Sequence, residues 1–309
     1  MNMQASHRPE PRDAYPSRRV GASAAVIPRS EPVVYSEDAQ TDALTPDQIK
    51  RYAEQGFLII DRLFSSAEVG ALQAELASLR SDEKIKKREE SITEAGSDSV
   101  RSIFAVHRQS EIFARLARDS RLVRIAEYLL NDQVYLHQSR LNYKPGFRGR
   151  EFYWHSDFET WHVEDGMPSM RALSMSISLT PNNSTNGPLL LIPGSHEEFL
   201  VCEGETPEQH YKSSLKKQKY GVPDDDNLAR LVASKGIREF TGNPGSVCIF
   251  DCNTMHGSNS NISPDSRSNA FFVYNAMSNR VQSPFSGQPP RPEHICARDS
   301  ITPINSTAT

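Results

Sequence analysis

The spacing of apolar positions changes character near residue 131. Between residues 45 and 130 they recur every three or four positions; beyond that they come in short runs closed by glycine, proline or asparagine. Thr45 followed by Pro46 predicts a helix start, because the hydroxyl can accept a first-turn N–H and proline has none to lose there. "GFLIIDRLF" then interrupts with a strand-like run, and Ser65 or Ser66 opens a second helix with Val69, Leu72, Leu76 and Leu79 on one face. "SEIFARLARDSRLVRIAEYLL" predicts further helix, burying Phe113, Leu116, Leu122, Ile125 and Leu129. Before it, residues 89 to 101 are polar and without period, which predicts a mobile loop.

Downstream, "QVYLHQSRLNYKP", "REFYWHSDF", "ALSMSISLT", "PLLLIPGS", "GSVCIFDCNTMHGS" and "NAFFVYNAMS" predict short strands. Thr206 to Lys219 is the helical exception, with Thr206 as its cap and Pro207 as its start. Strands at this spacing predict a mainly β sandwich or barrel with flanking helices. Residues 1 to 40 are polar and proline-punctuated, and predict a flexible arm able to dock as an extended strand. Residues 41 to 300 are expected to form one domain, and 301 to 309 a flexible tail.

Composition narrows the function. A net charge of −4 leaves no basic face for nucleic acid, and no apolar run approaches the roughly 18 residues of a membrane span. The start of the chain lacks the apolar core of a secretory signal, and Cys202, Cys248, Cys252 and Cys296 form no CxxC pair or disulfide framework. A cytoplasmic protein with reduced thiols is expected.

The chemistry concentrates in "FYWHSDFETWHVEDGMP", Phe152 to Pro168. On a strand, alternate side chains share a face, so His155 and Asp157 are expected to point the same way. With the distant His256 they make two imidazoles and one carboxylate, the facial set of non-haem iron(II) oxygenases. His162 with Glu164, and His196 after "PGS", are weaker rivals, because they run into or follow tight turns. Arg267, eleven positions after His256, is expected on the next strand across a hairpin turn, where its guanidinium could clamp the far carboxylate of a metal-chelating keto acid.

Together with "NGPLLLIPGSH", these residues resemble the phytanoyl-CoA dioxygenase-like branch of the iron(II)- and 2-oxoglutarate-dependent oxygenases. Within that branch "FYWHSDFETWHVEDGMP", "HQSRLNYKPG", "FDCNTMHGSNSNISP" and "QPPRPEH" resemble the ectoine hydroxylases, over roughly residues 40 to 295. The resemblance implies a double-stranded β-helix (jelly-roll, cupin-like) core, usually as a homodimer. It implies hydroxylation of ectoine to 5-hydroxyectoine with iron(II), 2-oxoglutarate and molecular oxygen. It places the iron ligands on His155, Asp157 and His256, and 2-oxoglutarate contacts on Arg267, Phe152, Asn142, Ser176 and Arg140. Substrate contacts would fall on Gln138, Arg140, Thr160, Trp161, Phe272 and Arg291. Ectoine is a cyclic amidinium with a carboxylate, so aromatic faces at Trp161 and Phe272 and donors at Gln138 and Arg140 suit it. The alternatives are a related oxygenase with another small substrate and a non-catalytic cupin-like barrel.

Overall fold

The strands follow in chain order as β1 (Ala25–Pro28), β2 (Phe57–Ile60), β3 (Ser91–Thr93), β4 (Val100–Phe104), β5 (Val134–Lys144), β6 (Phe152–His155), β7 (Ala172–Ser178), β8 (Leu189–Leu191), β9 (Glu198–Val201), β10 (Arg238–Phe240), β11 (Val247–Asp251), β12 (His256–Ser258) and β13 (Arg267–Ala276). They come from a computed structural model that describes residues 13–21, 23–37, 41–93, 100–215, 220–299 and 301–307. All pairings between these strands are antiparallel. A seven-stranded sheet has the order β2-β11-β7-β13-β5-β4-β3, a four-stranded sheet the order β10-β8-β12-β6, and β1 pairs with β9.

The large sheet is covered on both faces. Alternation along β7 and β13 sends Leu173, Met175, Ile177, Ala270, Phe272 and Tyr274 to one side, where they pack with Leu72, Leu76, Leu122, Ile125 and Leu129 of the helices. On the other side Phe57, Cys248, Phe250 and Phe271 meet Leu189, Leu191 and Phe240 of the small sheet. The chain therefore forms the expected jelly-roll core, two antiparallel sheets face to face, with helices against the outer face of the larger one.

The helices are α1 (Pro46–Gln55), α2 (Ser66–Ser81), α3 (Glu83–Lys86), α4 (Val106–Gln109), α5 (Glu111–Ala117), α6 (Ser120–Leu130), α7 (Asp157–Thr160), α8 (Tyr211–Ser214) and α9 (Asp225–Lys235). Thr45 and Ser65 cap α1 and α2 in reciprocal boxes with Gln48 and Glu68. Gly56 ends α1 at φ 78°, and a Cβ there would lie 2.4 Å from the His196 ring, so only glycine fits. Among the described residues no helix is long and apolar enough to cross a membrane.

Several expectations are corrected. The stretch read as one helix splits into α5 and α6, because the Asp119 side chain accepts the Arg121 N–H and starts a new helix. Part of the stretch read as a mobile loop pairs as β3 and the start of β4; residues 94–99 lie outside the described residues. Over its described part the Thr206-capped helix reduces to α8, residues 216–219 lying outside the described residues, and the Thr206 hydroxyl is buried without a partner. Helix α9 was not anticipated, since it buries only Leu228 and Leu231 and so carries a weak periodic signal. The arm is no free arm over its described part: Tyr15 and Arg18 are buried, and β1 adds a strand beside β9, so the docked alternative holds. Residues 1–12 lie outside the described residues. The described tail also lies on the domain, with Thr307 bridged to Asp119 and Ile304 packed on the main core; residues 308 and 309 are outside the description.

Candidate active site

Strand register brings the two histidines together: His256 on β12 is the direct partner of His155 on β6. Their ring centroids are 4.2 Å apart. Asp157 arrives by a different route from the one expected. β6 stops at His155, Ser156 caps α7 by accepting the Glu159 N–H, and Asp157 is the first residue of that helix. The strand-to-helix turn, not strand alternation, brings the carboxylate back beside the imidazoles. Asp157 Oδ1 lies 3.7 Å from His155 Nε2 and 3.9 Å from His256 Nε2.

The hydrogen bonds leave the ligand atoms free. His155 Nδ1 donates to the carbonyl of Tyr153 at 2.8 Å, and His256 Nδ1 donates to that of Thr254 at 2.9 Å. A carbonyl can only accept, so each Nδ1 carries a proton, which leaves Nε2 of each ring facing the centre. The Ser174 hydroxyl donates to Asp157 Oδ2 at 3.1 Å and leaves Oδ1 for the centre. Burial pushes the His155 pKa down to about 3, which keeps that imidazole neutral. Burial opposes ionisation of Asp157, but His256, His155 and Arg140 more than offset it and hold the carboxyl below its ordinary value. Two imidazoles with Nδ1 already engaged and one carboxylate oxygen, all buried and converging, fit a divalent transition metal such as iron(II).

A cavity opens beside this triangle, with Arg101, Phe104, Arg140, Lys144, Arg267 and Phe271 in its wall. Phe152 and Asn142 also line it, and Asn142 Oδ1 accepts from Ser102 Oγ at 2.9 Å. Arg267 is buried, and Nη1 donates to the Gly187 carbonyl at 2.6 Å while Nε has no partner. With no anion beside it, burial pushes its pKa down to about 10. β13 is the next strand after β12, but it belongs to the large sheet, so Arg267 faces the histidines across the sandwich and not across a hairpin. Ser176 stands opposite Phe271 in the register, and its hydroxyl accepts from Asn269 Nδ2 at 2.9 Å.

The substrate residues divide. Of Gln138, Arg140, Thr160, Trp161, Phe272 and Arg291, only Arg140 lines this cavity. Its guanidinium carbon lies 5.0 Å from the centre of the Phe271 ring. Gln138 Nε2 donates to the Ile295 carbonyl at 2.7 Å, and the Thr160 hydroxyl is buried without a partner. Trp161 is buried with its ring 5.2 Å from that of His137. Phe272 is a correction: it belongs to the helix-covered face of the large sheet, and its neighbour Phe271 occupies the cavity side. A one-residue step along a strand exchanges faces. Arg291 grips both oxygens of Asp165.

Sequence reasoning missed Arg101 and Ser174. Ser174 could have been found from the alternation in "ALSMSIS", which puts Ser174 and Ser176 on one face. Arg101 has no such signal. The β3–β4 register passes from Ile92 opposite Ser102 to Thr93 opposite Val100, and this bulge re-aims Arg101 into the cavity. His162 and His196 are not ligands of this centre: His162 bonds Asp13 and the Met167 carbonyl, and His196 bonds the Ala53 carbonyl. His137, Asp165 and Cys296 form a second buried constellation, but the Arg291 fork already neutralises the carboxylate and burial keeps the thiol protonated.

Comparison with known proteins agrees with this geometry. The phytanoyl-CoA dioxygenase (PhyH) family model matches residues 52–269. The ectoine dioxygenase of Bordetella bronchiseptica is 58% identical over 297 residues, 95% of this chain and 96% of its own. The crystal structure of EctD from S. alaskensis with 2-oxoglutarate and 5-hydroxyectoine superposes with a TM-score of 0.88 at 47% identity, covering 96% of this chain and 99% of that one. The same protein with bound Fe gives a TM-score of 0.86 at the same coverage. The chain thus belongs to the phytanoyl-CoA dioxygenase family and, within it, to the ectoine dioxygenases.

Proposed function

We propose that the chain hydroxylates ectoine to 5-hydroxyectoine, consuming 2-oxoglutarate and oxygen and releasing succinate and carbon dioxide. The observation that carries the proposal is the pair of free Nε2 atoms and one free carboxylate oxygen at the mouth of a cationic cavity. In this reading His155, Asp157 and His256 hold iron(II), which supplies the sites at which a keto acid chelates and oxygen is reduced.

The remaining work belongs to the chain. Arg267 takes the far carboxylate of 2-oxoglutarate, since its buried cation lacks an anionic partner. Phe152, whose ring lies 4.8 Å from that of His155, walls the co-substrate, and Asn142, Ser176 and Arg140 supply polar contacts. Gln138, Thr160, Trp161 and Arg291 are assigned to the ectoine side, with Phe271 replacing Phe272 as the aromatic wall. The seat between the two sheets would limit the access of water to the reacting centre once substrates fill the cavity. The retained carboxylate Asp157 favours hydroxylation, because family members that halogenate have a small residue there. The chain is further proposed to act in the cytoplasm as a homodimer, without nucleic-acid or membrane partners.

The test is incubation of purified protein with iron(II), 2-oxoglutarate and ectoine. A product one oxygen heavier by mass spectrometry, with matching succinate, is expected. Saturating ectoine without succinate, or full hydroxylation by Asp157→Ala, would refute the assignment.

A further inference from the structure

The N-terminal segment sends two buried arginines behind the metal-binding triangle. Arg18 Nε and Nη2 donate to the two oxygens of Glu159 at 2.9 and 2.8 Å, and Nη1 donates to Glu164 at 2.6 Å. The side chains of Arg18 and Glu159 are 0% and 1% exposed. Glu159 sits on α7, two residues after Asp157. Arg29 Nη1 reaches Asp251 at 2.8 Å, both side chains being 3% exposed. Asp251 ends β11 and organises the turn toward His256: its Oδ1 accepts the Asn253 N–H at 2.8 Å and its carbonyl accepts that of Thr254 at 3.0 Å.

The two contacts close one chain of hydrogen bonds. The Asn253 side-chain carbonyl accepts from the Ser156 hydroxyl at 3.0 Å, and Ser156 lies between two of the ligands and caps the helix that carries Glu159. The path therefore runs Arg29, Asp251, Asn253, Ser156, Glu159, Arg18, and passes behind His155, Asp157 and His256. Thr254, in the Asp251 turn, holds the His256 ring through its carbonyl. The fit is tight: a Cβ on Gly221 would lie 2.5 Å from Glu159 Oε2.

We propose that Arg18 and Arg29 are positioning residues for the metal ligands, with the N-terminal segment acting as a strap that fixes both ligand-bearing turns. This rests on the reading of the triangle as an iron(II) site. Buried ion pairs add little net stability over apolar replacements, and in some proteins they serve instead to fix one geometry among several. Two such pairs, each aimed at a ligand-bearing turn, have that use here.

The experiment measures iron(II) affinity of metal-stripped, full-length protein by anaerobic competition with a chromophoric chelator, alongside the metal-free thermal midpoint. Both Arg18→Lys and Arg29→Lys keep the charge; the first loses the fork on Glu159, and the second loses the guanidinium that joins Asp251 through Nη1 to the carbonyls of Glu31, Pro32 and Met170. Each is expected to weaken iron(II) binding about tenfold or more, the usual range for groups that orient ligands. Arg121→Lys is the matched control, because Arg121 bridges Glu68 and Asp119 at 2.6 and 2.7 Å among the helices. It should lower the midpoint and leave iron(II) affinity unchanged. Wild-type affinity in both strap variants, or an equal loss in the control, overturns the proposal. Should Arg18→Lys not fold, Ser17→Ala removes only the hydroxyl that donates to Glu159 at 2.7 Å, and a smaller loss of affinity is expected; no loss overturns the proposal. Wild-type protein that binds no iron(II) would sink the metal reading and the strap with it, a result distinct from wild-type binding that the variants match.

Discussion

Replacing Arg267 by methionine separates binding from stability, because the two should move in opposite directions. The guanidinium is buried, its cation meets no carboxylate, and burial pushes its pKa down from the ordinary arginine value to about 10. That shift corresponds to about 3 kcal/mol of penalty on the charged form. Methionine removes the penalty and most of the volume change, at the cost of about 1 kcal/mol for the Gly187 carbonyl that loses its donor. The ligand-free protein should therefore be as stable as wild type or gain a few degrees in thermal midpoint. A 2-oxoglutarate carboxylate, in contrast, loses its charge-assisted fork, worth roughly 2–5 kcal/mol in a buried site, so the KM for 2-oxoglutarate should rise about 30-fold to a few thousandfold. Succinate release against 2-oxoglutarate concentration gives the KM, and thermal unfolding without ligands gives the stability. A KM within threefold of wild type, or a midpoint several degrees lower, would refute the reasoning.

The two adjacent phenylalanines should behave differently. Phe272→Ala opens a cavity in the helix-covered core and should cost about 3–5 kcal/mol of stability with KM values near wild type, whereas Phe271→Ala should raise the KM for ectoine or 2-oxoglutarate with a smaller stability loss; steady-state kinetics paired with chemical unfolding decides, and equal effects would argue against the face assignment. Glu164 and Asp165 control acid stability: burial pushes both pKa values up, but His210 and Arg18 at Glu164, and Arg291 and His137 at Asp165, outweigh it and leave each at about 2. Folded values below the unfolded ones mean that the stabilisation is complete above about pH 4.5 and is lost as pH falls toward 2, by about 2–3 kcal/mol for each group taken alone. Asp165→Asn should lower the midpoint at neutral pH and flatten its fall between pH 5 and 3; an unchanged slope would count against this account. Ser174→Ala frees Asp157 Oδ2 from its donor and should weaken iron(II) binding in the chelator competition, while unchanged affinity would show that the hydroxyl does not orient the carboxylate.

The parts of the fold that were legible in the sequence are those in which one element carries its own signal. Thr45 and Ser65 mark helix starts because a cap is local chemistry, and the caps form as read. The burial of Val69, Leu72, Leu76 and Leu79 follows from a single helical face. The docking of residues 13–21 and 23–37 is of another kind. It depends on Arg18 and Arg29 meeting carboxylates more than a hundred positions away, so a polar composition that reads as disorder conceals buried ion pairs. Helix α9 was hidden for a similar reason, since its short apolar stripe of Leu228 and Leu231 is satisfied by a small satellite cluster instead of the main core.

At the site, His155, Asp157 and His256 converge, but by a geometry other than the one expected. His155 and Asp157 were joined by strand alternation, yet alternation ends at His155 and the Ser156 cap turns the chain into α7. The pairing survives because a strand-to-helix turn and a two-residue strand step can both return a side chain to the same point. Alternation does hold along β13, where Arg267, Asn269 and Phe271 share the cavity side, and there it excludes Phe272, the residue taken from resemblance. Resemblance supplies which residue types belong in the site, but only the pleat decides which of two adjacent phenylalanines faces it. Arg101 shows the limit of both methods, since a single bulge in β4 reverses the face that its position in the strand would assign. The electrostatics of the cavity depend on that bulge, because it adds a third arginine to the two that alternation places there.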